Sequence, residues 1–94
     1  MEFKTELNTV FYNYNDNTNW VSLSSNLAQI IEKYYHKPID PNLIYKSLSF
    51  CDKNSQSFIK TLTAKMIRND YKEAQNLMDF FKTHYPNYIN SQFN

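Results

Sequence analysis

The sequence predicts an all-α protein: a compact bundle of about five helices in antiparallel hairpins, with a short C-terminal tail. Three observations predict it. Apolar residues recur at the spacing of one helical face in five separate segments. Glycine is absent from all 94 residues, which disfavours the tight glycine-containing turns of hairpin-built β folds. The breaks between segments fall on proline, aspartate and asparagine, which stop helices, cap them or favour local turns. The length is that of one domain. Residues 1–94 are therefore read as a single helical domain whose last residues, 85–94, are either flexible or docked.

The first helix is carried by Phe3, Leu7, Val10, Phe11 and Tyr14, which share one face. It ends in the polar run Asn13-Tyr14-Asn15-Asp16-Asn17-Thr18-Asn19, whose side chains compete with the helical backbone and favour turns. In the second helix Trp20, Leu23, Leu27, Ile30, Ile31 and Tyr34 lie within roughly a 100° arc. Asn19 or Thr18 can cap its start, and Pro38 ends it by pushing Lys37 out of the α region. The third helix has three agreeing start signals: Asp40 as N-cap, Pro41 in the first helical position, and an Ile39–Ile44 staple. It carries Leu43, Ile44, Ser47, Leu48 and Cys51, and this register puts Cys51 in the core as a small apolar residue.

A break at Asp52-Lys53-Asn54-Ser55 supplies Asn54 or Ser55 as the next cap. Phe58, Ile59, Leu62 and Met66 then share the inner face of a fourth helix, with Lys60, Lys65 and Arg68 roughly opposite. From Lys53 to Arg68 there are four basic residues and no acid. Asp70 and Glu73 have capping-box spacing, so the fifth helix is expected to start from Asp70. Tyr71, Ala74, Leu77, Met78, Phe81 and Tyr85 form its apolar face, and it is expected to pair with the fourth helix as the most regular hairpin. Pro86 ends it. The tail beyond carries Tyr88, Ile89 and Phe93. Of the 13 asparagines, Asn54 and Asn69 are expected to take over glycine's work in left-handed positions at helix ends.

The composition excludes several chemistries. Glycine-rich phosphate loops, dinucleotide fingerprints, nucleophile elbows and EF-hand loops need glycine where the backbone turns sharply or approaches a ligand. Cys51 is the single cysteine and cannot form an internal disulfide. With His36 and His84 as the two histidines, nitrogen and sulfur ligands are too few for a structural zinc site. No metal or other cofactor is expected. No stretch approaches the roughly 18 apolar residues of a membrane span, and the N-terminus lacks a signal-peptide pattern, so a cytoplasmic, intracellular setting is expected. No carboxylate pair, histidine or serine sits in a recognisable catalytic arrangement, and an enzyme is not expected. Cys51 is followed by Asp52 and lacks the positive surroundings of a reactive thiol.

Residues 69–87 resemble the second half of a tetratricopeptide repeat: Tyr71, Ala74, Met78, Phe81 and Pro86 match that motif in order and spacing. Phe58 would take the large aromatic of the preceding helix. Thr61, Leu62 and Lys65 meet that helix's apolar and small positions poorly, and Asn69 stands where the usual turn glycine would be. The resemblance covers about a third of the chain, roughly residues 58–87, and implies a non-enzymatic helical-hairpin scaffold that binds proteins or peptides. The helix order and aromatic tail also resemble the small bacteriocin-immunity proteins, antiparallel helical bundles of similar length, without a diagnostic motif.

Two binding functions follow from the residues themselves. The expected one is non-catalytic protein–protein interaction, as an adaptor, inhibitor or immunity-type protein, because aromatics are 17% of the chain and interfaces favour them. Tyr12, Tyr35 and Phe80 fall off the core stripes, with Phe50 and Tyr45 undecided. Phe80, His84, Tyr88 and Phe93 are the candidate contacts, although Phe80 would equally pack against the first helix or the tail. Self-association through the same surplus would look identical. The alternative is a nucleic-acid-binding regulator contacting phosphates through Lys60, Lys65, Arg68 and Lys72. Against it stand a net charge of only +1 and a single arginine. A membrane-surface role is not expected, since the basic helix lacks the bulky apolar face such helices show.

Overall fold

In the computed structural model, which describes residues 2–15 and 17–85, five helices pack around one core. They are α1 (Phe3–Tyr12), α2 (Trp20–Tyr35), α3 (Pro41–Leu48), α4 (Ser55–Arg68) and α5 (Ala74–His84). Consecutive helices pack on one another, most extensively α2 on α3, and α1 closes the bundle against α4. The core is continuous from Phe3, Leu7 and Phe11 through Leu27, Ile31, Ile44, Phe58, Ile59 and Leu62 to Leu77, Phe81 and Tyr85.

Three helix starts form as the local chemistry dictates. Asn19 Oδ1 accepts from the Val21 and Ser22 amides at 2.9 and 3.2 Å. Asp40 Oδ1 accepts from the Asn42 amide at 2.9 Å, with Pro41 in the first turn. Asn54 Oδ1 accepts from the Ser57 amide at 2.8 Å. Each satisfies a backbone donor that the helix itself leaves unpaired. Within the Asn-rich loop, Asn15 Oδ1 accepts from the Asn17 amide at 2.8 Å, the local competition that stops α1.

The fifth start differs from expectation. The Asp70–Glu73 capping box does not form; α5 begins at Ala74, and Glu73 makes no side-chain cap bond. Asp70 lies at φ 57°, whereas an N-cap needs extended backbone. It instead completes the end of α4. The Tyr71 amide donates to the Met66 carbonyl at 3.0 Å and the Asp70 amide to the Ile67 carbonyl at 3.2 Å, the paired bonds of a Schellman motif. Glu73 is drawn elsewhere: its carboxylate accepts from Tyr35 Oη at 2.9 Å, Lys37 Nζ at 3.2 Å and Asn76 Nδ2 at 3.3 Å.

The left-handed positions are also not those expected. Among the described residues they fall on His36 (φ 65°) and Asp70. Asn54, at φ −151°, is held extended by its capping bond, and Asn69, at φ −97°, donates its side chain back to the Lys65 carbonyl at 2.9 Å. Both asparagines thus use their amides as hydrogen-bonding groups. A further correction concerns Cys51. The end of α3 tightens into i→i+3 bonds, Ser49 amide to Lys46 carbonyl and Phe50 amide to Ser47 carbonyl, so Cys51 lies beyond the helix. It is half-buried and still packs on the core. Burial, then Asp52, pushes its thiol pKa up to about 11.

Candidate functional site

The candidate residues divide between two regions. The first is an aromatic corner where α1, α2 and α5 meet. Phe3, fully buried, lies 4.9 Å from Phe80 and 4.9 Å from His84 between ring centroids, and 6.1 Å from Phe81. Phe80 also touches Tyr35 at 5.3 Å and His84 at 4.8 Å. Phe80 and His84 are therefore brought together, but around Phe3, and both are half-buried. Burial among these rings lowers the His84 pKa, opposed by the Glu2 carboxylate. Tyr88 and Phe93, the other two candidate contacts, lie outside the described residues.

Carboxylates complete this corner. Glu6 pairs with Lys33 at 3.2 Å and accepts from Tyr34 Oη. The Tyr34 hydroxyl and the Lys33 ammonium hold the Glu6 carboxyl below its ordinary pKa. Glu73 pairs with Lys37 at 3.2 Å, and Tyr35, Asn76 and Lys37 lower its pKa in turn. Burial, then the Glu73 bond, pushes the Tyr35 phenol up to about 12. Both ammonium groups also sit over rings, Lys33 over Tyr34 at 5.2 Å and Lys37 over Tyr35 at 5.7 Å.

The second region is the outward face of α4. Lys60, Ala64 and Arg68 stand at i, i+4 and i+8, one line along the helix covering about 12 Å. Thr61 and Lys65 form the neighbouring line. Together with Phe50, from the turn after α3, these five residues line a depression of about 300 Å³. Phe50 is 74% exposed, and Lys65 Nζ lies 4.3 Å from its ring centroid. Among the described residues no carboxylate lies within ion-pair distance of Lys60, Lys65, Arg68 or Lys72. Lys72 is exposed in the α4–α5 connection and does not line the depression.

Phe50, Thr61 and Ala64 were not foreseen as parts of a site. For Thr61 and Ala64 a signal existed, small side chains interleaved with cations at i, i+4 spacing. For Phe50 the helical register leaves core and surface undecided, because its exposure depends on where α3 unwinds. Of the residues behind the tetratricopeptide resemblance, Phe58, Ala74 and Phe81 are buried, Met78 is half-buried and Tyr71 precedes α5. Pro86 lies outside the described residues.

Among the described residues no group of three or more His, Cys, Asp or Glu is placed to hold a metal ion, and no helix is long and apolar enough to cross a membrane. Comparison with models of known families, with curated proteins and with solved structures finds no match for this chain.

Proposed function

We propose that this protein is a non-catalytic protein–protein interaction module whose contact surface is the outward face of α4. One observation carries the reading: Lys60, Lys65 and Arg68 share a face with an exposed aromatic, Phe50, and with no paired carboxylate among the described residues. An ordinary solvated helix face mixes Glu and Lys at i, i+4 spacing for mutual support. The helix dipole accounts for cations in the last turn, Lys65 and Arg68. It does not account for Lys60, one turn and more before it, or for Phe50.

The face suits an acidic protein surface, which cations attract and an exposed ring can anchor. The competing surface is the Phe80–His84 corner, whose rings are already engaged with Phe3 and Tyr35. Affinity capture from the source cell with three baits separates the two. Wild type and Phe80→Ala should retain the same partner, and Lys60→Glu/Arg68→Glu should lose it. Retention by the charge-reversed bait would overturn the reading.

A further inference from the structure

We infer that the depression on α4 receives an acidic peptide segment bearing one large apolar side chain, with Phe50 as the anchor and Lys60, Lys65 and Arg68 as the carboxylate contacts. This rests on the α4 face being the binding surface and names what occupies it. Between the cations stand two small side chains, Ala64 and Thr61, and the Phe50 ring lines the depression with them. A space of about 300 Å³ is at the low end of ordinary binding pockets and takes one or two side chains rather than a folded surface. Lys60 and Arg68 flank Ala64 at one turn on either side, so carboxylates on both sides of a central apolar residue would each meet a cation. Arg68 offers a planar fork to one of them.

Single-stranded nucleic acid is the other polyanion that an aromatic beside cations can bind, and the geometry favours it less. Bases stack on an open ring face, whereas the Lys65 ammonium already lies 4.3 Å from the Phe50 centroid and covers one face. Phosphate tracking needs cations beyond a single site, and Lys72, the next in sequence, lies outside the depression. The chain's net charge of +1 gives little long-range attraction for a polyanion, but a local cluster suffices for a short acidic segment.

The test is selection from a random octapeptide library displayed on phage, with the full chain as target and Lys60→Glu/Arg68→Glu as counter-target. The expected consensus has two or more Asp or Glu around one Phe, Trp, Leu or Ile. The best synthetic peptide should bind at least about tenfold more weakly to Phe50→Ala. It should lose a similar factor when its own apolar residue becomes Ala, and the two losses should not add. A labelled twelve-residue oligothymidylate at low salt should bind more weakly than that peptide. No enrichment, a consensus without acids, equal binding to the charge-reversed protein, or tighter binding of the oligonucleotide would each overturn the inference. Failure here, with partner capture still abolished by Lys60→Glu/Arg68→Glu, would leave the α4 surface standing and remove only its peptide occupant. Capture that survives the charge reversal would remove both.

Discussion

The aromatic corner and the outward face of α4 are made of the same materials, lysines lying over aromatic rings, yet they are arranged to opposite effect. In the corner two of the ring-bound ammonium groups have a carboxylate, Lys33 meeting Glu6 and Lys37 meeting Glu73, both at 3.2 Å, while Lys4 lies over the buried Tyr85 ring at 5.2 Å. The same carboxylates accept from the phenols of Tyr34 and Tyr35. Charge is neutralised there and the rings face inward. On α4, Lys65 lies over Phe50 with no acid beside it, and the ring is 74% exposed. Ring burial and paired carboxylates together set the corner apart from the α4 face, where an exposed ring and unpaired cations are presented outward. Surface ion pairs contribute little stability each, so the consequence lies mainly in the potential presented to the outside.

The comparison breaks most easily at Phe3. It is fully buried and touches Phe80, Phe81, His84, Tyr34 and Tyr85. Phe3→Ala should lower unfolding free energy by about 3–5 kcal/mol in urea titration, a large part of the stability of a small domain. Phe80→Ala, at a half-buried position, should lose about 1–2 kcal/mol. If both rings serve the interior, the Phe80→Ala protein that remains folded should bind its partner as wild type does. A Phe80→Ala loss of binding larger than its loss of folded protein would make the corner the contact surface and reverse the comparison.

A smaller, opposite effect is expected at His36. Its left-handed backbone, φ 65°, costs a residue with a side chain roughly 1–2 kcal/mol that glycine avoids. Glycine's freer unfolded chain offsets part of the gain. His36→Gly should therefore raise the melting temperature by about 2–6 °C, corresponding to about 0.5–1 kcal/mol, while His36→Ala should not. His36 is exposed and belongs to neither region. The glycine variant thus changes stability alone, and any change in partner binding would show that binding follows global stability rather than the α4 face.

What was legible in the sequence was what a few neighbouring residues decide. Asn19, Asp40-Pro41 and Asn54 act within their own turn, and their caps form as read. The five apolar stripes are equally local, and with them the all-α fold. The run of cations without an acid could also be read directly. The failures are non-local. Glu73 leaves its expected cap for Tyr35, 38 positions away, and Asp70 is taken by the end of α4. Whether Phe80 packs or is presented outward turns on Phe3, 77 positions away and beyond the reach of any local pattern. Phe50 depends on the point at which α3 tightens and stops, a balance of single hydrogen bonds that no periodicity reveals.

The finest test concerns His84. Its imidazole lies between the Phe3 and Phe80 rings, at 4.9 and 4.8 Å. Burial there holds its pKa below the ordinary 6.5, against the opposing pull of Glu2. The unfolded chain then binds the proton more readily than the folded one. Stability from this site is complete above about pH 6.5 and is lost as pH falls through the lowered folded value. Glu6 and Glu73 also lose stabilisation on acidification, but their lowered values place that loss below pH 4.5. Between pH 7 and 5 the urea midpoint of wild type should fall by more than that of His84→Gln, whose side chain does not titrate. Equal slopes would mean that His84 is solvated in the folded protein. The ring would then be free to serve as a contact, and the division between a closed corner and an open α4 would lose its sharpest internal support.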